Sequence, residues 1–355
     1  MEKVVPTVTV VIPVFNGENY LEEAICSVLN QTYRDFEIVV VDDGSTDGTW
    51  AIIERYIAAN PGVVRGIRKQ NGGTAAALNA GIQVANGKYF AWLSHDDRFL
   101  PHKLEAQLAL LDSNPEIVGV YSDYMRIDEA GSRIGLVHAT WYPQSKTVRR
   151  FLQNPYINGS TLVVERRCLQ EVGLFDEAVR YAHDALMWVH LIQRYQLAHI
   201  PEPLTEYRIH SNQATEKKRQ AVRRDNRLWL SKAIKSYTVK EIFPELNQPQ
   251  TTSADLAAAY TYLGDVLIIR HVHIWSGIWQ YWKALLVWPD LRNPALGKAL
   301  IAFTQLLTQR VQTIKRNIQM FRPSQVTQSE PRPPVEIYTS TWCEIIPDIR
   351  VTPDN

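Results

Sequence analysis

Two short stretches gather carboxylates directly behind apolar runs. VVVDDGSTDGT, Val39 to Thr49, sets Asp42, Asp43 and Asp47 among Gly44 and Gly48, and KYFAWLSHDD ends on His95, Asp96 and Asp97. Carboxylates repel a phosphate unless a divalent cation stands between them, so two acidic loops in one crevice would suit a metal-bridged phosphate ligand. Asp42 and Asp43 also suit hydrogen bonds from a base N–H or a ribose hydroxyl, and the glycines let the loop turn. The plainer alternative is a turn and helix cap, for which Ser45 or Asp47 is chemically apt. Neither stretch carries GxGxxG or GxxxxGK[ST], so a Rossmann dinucleotide site and a P-loop both lack their phosphate cradle.

The elements that must position these loops read as parallel βα units. TVTVVIPVF is strand-like, Asn19 to Leu29 helical, FEIVVVD strand, Thr49 to Ala59 helix, VVRGIRK strand, Thr74 to Val84 helix and KYFAW strand. Continuous β-branched runs separated by helices imply a sheet covered on both faces, with the ligand crevice at the carboxyl ends of the strands. That rule brings DDGSTD and SHDD together. Beyond them, Pro101 to Asn114 reads as a helix and Ile117 to Met125 as a strand, followed by a looser region to about Ser160. GSTLVVERRCLQEVGLF then reads as strand and helix, and AHDALMWVHLIQRY as a helix.

From about Thr215 the strand signals stop. Glu216 to Lys235 is helical and basic, and between Asp265 and Arg322 there are eight Lys or Arg against two Asp or Glu. Trp275, Trp279, Trp282 and Leu286 recur at i, i+4, i+7 and i+11, one helical face. Such a face either packs on the preceding domain or docks on an anionic membrane surface, with Tyr281, Trp282 and Lys283 as interfacial anchors. His271 and His273, two apart on a predicted helix, point to different faces and make no second metal site. The expected organisation is a domain over 1–215, a helical extension over 216–322 and a Pro, Ser and Thr-rich mobile tail over 323–355.

Composition bounds the class. With 355 residues and a formal net charge of +1, the chain has room for a large core and no overall field for nucleic acid. Cys26, Cys168 and Cys343 match no zinc spacing, and their odd number argues against a disulfide framework. A reducing cytosol is the expected setting. No signal peptide and no membrane span is read, so the expectation is a cytoplasmic protein, or one peripheral on the inner face of the membrane.

At this point the residues carry a resemblance. TVTVVIPVFNGENYLEEAICSVLNQTYRDFEIVVVDDGSTDGT resembles the opening of the family 2 glycosyltransferases, inverting enzymes of the GT-A fold that use nucleotide-diphospho-sugars. The likeness continues, in the family's order, through QNGGTAAALNAGI, KYFAWLSHDDRFLPHKLE, VGLFDEAVRYAHDALMWVHL and YRIHSNQAT. It implies an α/β GT-A fold with a mostly parallel central sheet and, here, a C-terminal helical extension.

The resemblance also implies roles. Pro13, Phe15 and Asn16 would end the first strand where base and ribose sit, beside Asp42 and Asp43, with Glu18 within reach of the ribose. Asn71, Gly72, Gly73 and Asn79 match a glycine-rich segment near the nucleotide. SHDD matches the DxD triplet: Ser94 takes the first position, His95 the middle, and Asp96 the third, which would ligate Mn²⁺ or Mg²⁺. Ser94 removes one carboxylate from the pattern, though its hydroxyl can still bond ribose. Asp97 would meet donor or acceptor, or cap the next helix. HDALMW matches the ED motif with Asp184 as catalytic base, and His183, in place of glutamate, would either tune that base or bind the acceptor. In YRIHSNQ, Arg208 would face the diphosphate and His210 the metal, while Asn158, Gly159 and Ser160 would face donor sugar or acceptor. The implied partners are a nucleotide-diphospho-sugar, UDP favoured, and a glycan or lipid-linked acceptor in cell-surface polysaccharide synthesis, without nucleic acid. The alternatives are a catalytically weakened sugar-nucleotide-binding homologue and a nucleotidyltransferase.

Overall fold

A computed structural model of the chain describes residues 5–213, 217–269, 274–290, 293–302 and 304. β1 (Val8–Val14) and β2 (Phe36–Asp42) are buried at every position, as continuous β-branched runs should be when both faces of a sheet are covered. Alternate side chains go to opposite sides: Val11, Val39 and Val41 enter one core, while Val10, Ile12, Ile38 and Val40 enter the other. α1 (Leu21–Leu29), α2 (Thr49–Ala59), β3 (Val64–Arg68), α3 (Thr74–Val84) and β4 (Tyr89–Trp92) complete the parallel part.

The second part of the sheet is mixed. It comprises β5 (Arg98–Phe99), β6 (Ile117–Ile127), β7 (Arg133–Val137), β8 (Val163–Glu165) and β9 (Gln196–Arg208). Together the nine strands run β3-β2-β1-β4-β8-β6-β9-β5, with β7 paired to β6. β1 pairs in parallel with both β2 and β4, Val14 opposite Asp42 and Val11 opposite Trp92. The chain therefore leaves β1, β2 and β4 at one edge, which brings the two acidic loops together as expected.

Two features differ from the sequence expectation. The region read as loose to Ser160 contains β7 and α5 (Gln144–Gln153). β9 was hidden by Pro201 and Pro203 in QLAHIPEPLTEYR. It pairs in parallel with β6 through a register that shifts at Asp123, opposite Pro203, and such irregularities are where a strand tolerates proline. α4 (Lys103–Ser113), α6 (Arg166–Val172) and α7 (His183–Arg194) follow the expected helices.

After residue 217 the described chain is helical: α8 (Arg219–Ser236), α9 (Val239–Ile242), α10 (Ser253–Ile269), α11 (Ile274–Val287) and a further helix over 294–302. Trp229 and Leu230 of α8 lie fully buried in the same core as Trp188 and Phe151. The tryptophan face of α11 does not pack inward. Trp275, Trp279, Trp282 and Leu286 are 49, 56, 53 and 72% exposed, because α11 meets α10 through its opposite face. Tyr281, expected as a surface anchor, is buried there against Gly264 and donates its hydroxyl to Asp265 at 2.8 Å. Among the described residues no helix is long and apolar enough to cross a membrane. His271, His273, Cys343 and the expected tail over 323–355 lie outside the described residues.

Candidate active site at the carboxyl edge of the sheet

The β1 loop is built to meet its neighbours. Asn16 is the only described non-glycine residue at positive φ, +51°, a conformation asparagine tolerates better than most. Its amide donates to Ser45 Oγ and its Oδ1 accepts from Thr46 N–H, both at 2.9 Å. Beside it Gly17 allows His95 to approach so closely that a Cβ would stand 2.5 Å from the imidazole. Glu18 accepts from Gly48 N–H at 2.8 Å. The β1, β2 and β4 loops are thus one interlocked surface, with Pro13 buried beneath it and Phe15 exposed upon it.

Asp42 and Asp43 divide their work. Asp43 receives the Gly72 and Gly73 amides at 2.9 and 2.7 Å and Lys69 Nζ at 2.8 Å, so its carboxylate anchors the glycine-rich segment. Asp42 accepts from Ser45 N–H through Oδ1, while Oδ2, fully buried, lies 3.3 Å from Arg68 Nε without a hydrogen bond. A buried carboxylate oxygen in that state has acceptor capacity to spare. Asn71 reaches Asp43's carbonyl, whereas Asn79 points away from the loops and bonds both backbone groups of Phe175.

In SHDD the two aspartates part company. Asp97 is turned inward, where Ser160 Oγ donates at 2.7 Å and Arg208 N–H at 3.0 Å. Burial first, then the charge of Asp96, pushes its carboxyl well above the usual range. Asp96 Oδ2 pairs with His210 Nε2 at 3.0 Å. Burial opposes its ionisation, but the His210 bond and the nearby His95 and His210 charges prevail and hold it below the usual range. Of the two, Asp96 is therefore the carboxyl that ionises more readily. Ser94 N–H donates to Ser160 Oγ at 3.2 Å, and Asn158 caps the short turn Gly159–Thr161, which sets 158–160 directly behind SHDD.

Asp96 with the imidazole of His210, whose Nδ1 is buried and unpartnered, supplies a donor set that a hard divalent cation accepts. Among the described residues no group of three or more His, Cys, Asp or Glu forms a cage, so a cation here would take further oxygens from a bound diphosphate and water, as Mg²⁺ commonly does.

Arg208 is placed otherwise than the motif suggested. Its side chain is buried, and its fork donates to the carbonyls of Asp96 and Glu129 at 2.9 Å and to Glu23 at 2.6 Å. The guanidinium stacks over Tyr20, 4.5 Å from the ring centroid. It is a clamp on the SHDD loop, with no donor turned to the surface.

The remaining functional candidates open α7. Asp184 lies in the first turn, half-buried, and accepts no hydrogen bond from the described residues. His183 is buried against Trp92 and Phe175, with ring centroids 5.6 and 5.7 Å away. Burial lowers its pKa despite Asp184, the Arg180 carbonyl and Asp225, which favour the cation. Its Nε2 and Trp92 Nε1 have no hydrogen-bond partner among the described residues. Sequence reasoning missed Glu23, Arg180, Asp225 and Trp92. Glu23, Trp92 and Arg180 lie inside stretches already quoted for the resemblance, whereas Asp225, on α8, lies outside them.

The family model described as glycosyl transferase family 2 matches residues 9–173. A glycosyltransferase of Rickettsia prowazekii is 37% identical over 242 residues, covering 67% of this chain and 74% of the relative. The chain belongs to the family 2 glycosyltransferases. TuaG of Bacillus subtilis, whose name assigns it to teichuronic acid biosynthesis, is 29% identical over 221 residues, 62% of this chain and 85% of TuaG. Among solved structures, the mannosyltransferase PcManGT from Pyrobaculum calidifontis, in complex with GDP-Man and Mn²⁺, superposes with a TM-score of 0.54 at 20% identity, covering 86% of this chain and 81% of its own. S. aureus TarS 1–349, in complex with UDP-GlcNAc, gives 0.51 at 16% identity over 86% and 92%. Both likenesses concern the fold, which is of the GT-A type.

Proposed function

We propose that this glycosyltransferase moves a sugar from a nucleotide-diphospho-sugar, UDP-linked by preference, to a hydroxyl of a glycan or lipid-linked acceptor, with inversion and with Mn²⁺ or Mg²⁺. The observation that carries the reading is the pairing of Asp96 Oδ2 with His210 Nε2 at 3.0 Å beside loops in which Asp42 Oδ2, ion-paired to Arg68, accepts no hydrogen bond from the described residues. Asp42, with Phe15 and Asn16, receives base and ribose, and Pro13 supports them from beneath. Asp43, Glu18 and Asn71 hold the loops that do so, and Asn79 fixes the Phe175 segment behind them. Asp96 and His210 would hold the cation, which when bound neutralises charge on the diphosphate.

Asp184 takes the acceptor's proton as the hydroxyl oxygen attacks the anomeric carbon. The bond from that carbon to the diphosphate breaks on the opposite side, and its electron pair leaves with the diphosphate. A carboxylate that accepts no hydrogen bond from the described residues is suited to this, since no such bond must be given up. Ser94, Ser160 and Asp97 set the turn that carries Asp96, and Arg208 clamps it. TuaG's name is consistent with a role in cell-surface polysaccharide synthesis, and the exposed face of α11 with contact at a membrane surface where lipid-linked acceptors would lie. In a screen of UDP-, GDP- and dTDP-sugars against hydroxyl acceptors, one donor should be consumed. Asp184→Asn should lower kcat by roughly 10²–10⁴-fold, the usual worth of a positioned base, with nucleotide affinity kept. Undiminished turnover by Asp184→Asn would remove the assignment.

A further inference from the structure

The cations beside the nucleotide loops differ in what remains of them. Lys69 is bound to Asp43 and to the Gln70 carbonyl, and Arg68 is held by Ser45's carbonyl and Asp42. Arg208 is consumed by its four acceptors. The Gly72 and Gly73 amides, which could have cradled a phosphate, both donate to Asp43. Arg68 and Arg180 are both exposed, but Arg68 is ion-paired to Asp42 and lies over the Trp50 ring, whereas Arg180 meets no carboxylate with its side chain among the described residues and makes one side-chain hydrogen bond there, from Nη2 to Asn71 Oδ1 at 3.1 Å.

Its position is fixed from two sides. Above the glycine-rich segment, its side chain runs across Gly73, whose φ is +93° and whose missing Cβ would stand 3.0 Å from Arg180 Nε. Behind it, the Arg180 and Tyr181 amides donate to Asp225 Oδ2 at 2.7 and 3.0 Å. Asp225 is fully buried on α8, an acidic residue in an otherwise basic helix. The same loop leads directly into His183 and Asp184, and His183 Nδ1 lies 3.3 Å from the Arg180 carbonyl.

We propose that Arg180 is the guanidinium that binds the β-phosphate of the donor's diphosphate, and that Asp225 is the positioning residue that holds it there. This rests on the reading of residues 71–73 as the nucleotide segment. A guanidinium fork matches phosphate oxygens in pairs, and Nε and Nη1 remain for them once Nη2 is on Asn71. The arrangement also explains why α8 must be part of the catalytic unit: its carboxylate sets the loop that carries both the phosphate ligand and the base.

The test is calorimetric titration, in Mn²⁺, of UDP, GDP and dTDP and of the corresponding monophosphates into the wild type, Arg180→Ala, Arg180→Lys and Asp225→Asn. For the diphosphate that binds, Arg180→Ala should weaken affinity about 10- to 100-fold, the span of a charge-assisted hydrogen bond. Its monophosphate should lose less than about threefold, since the β-phosphate is absent. Arg180→Lys should fall between, and Asp225→Asn should weaken the diphosphate selectively with the same sign. Equal losses for both nucleotides, or none, would overturn the assignment while leaving the nucleotide site intact. If the wild type binds no diphosphate, the reading of the nucleotide segment fails, and the Arg180 proposal with it.

Discussion

At the residue scale the motif positions separate into groups that face the site and groups that support it. Asp96 and Asp97 are adjacent in sequence, yet one pairs with His210 and the other is buried beneath Ser160 and Arg208 N–H. No spacing rule distinguishes them, because the separation depends on β9 arriving from more than a hundred residues later. His183 gives a pH prediction. Its folded pKa is lowered by burial, so its neutral form stabilises the fold above the ordinary histidine value of about 6.5, and that contribution is lost as pH falls through the folded value. Thermal denaturation of the wild type should therefore lose ground to His183→Gln as pH drops below about 6.5. Parallel curves for the two proteins would show that His183 is not buried in the neutral form. The types of these residues were legible in the sequence. Which of them were already spent on internal bonds was not, and Arg208 and Asn79 are the clearest cases.

At the element scale the parallel half of the sheet was readable from its apolar runs, and α2 and α3 match their expected ends. β9 was not, since two prolines break the pattern and a register shift accommodates them. The basic stretch after Thr215 read as an extension, but α8 buries Trp229, Leu230 and Ala233 in the core shared with α7 and sends Asp225 to the Arg180 loop. Trp229→Ala should therefore destabilise the whole catalytic unit by roughly 3–5 kcal/mol, as for a large aromatic removed from a packed interior. Urea denaturation followed at several wavelengths should show one shifted transition. A change under about 1 kcal/mol would place α8 outside the cooperative unit.

At the scale of the whole molecule, charge and apolar surface are unevenly shared. The chain's net charge is +1, while Asp265 to Arg322 alone holds eight basic against two acidic residues, so the rest is net acidic. The exposed tryptophans of α11 lie in that basic segment, and indole rings favour the membrane interface. We propose that this face contacts anionic lipid. Sedimentation with phosphatidylglycerol vesicles at physiological salt should bring down the wild type but not the Trp275→Ser, Trp279→Ser, Trp282→Ser triple variant. Equal sedimentation of both, or of neither, would refute the contact. The sequence showed the periodicity of this face but not its direction, which was set by Tyr281 turning to Asp265. The central claim is that these loops hold a nucleoside diphosphate through a cation on Asp96. Its most direct test is titration of UDP, GDP and dTDP into the wild type and Asp96→Ala, with and without Mn²⁺. The account predicts that one of them binds tightly only when both Mn²⁺ and Asp96 are present. Binding indifferent to both, or no binding at all, would contradict it.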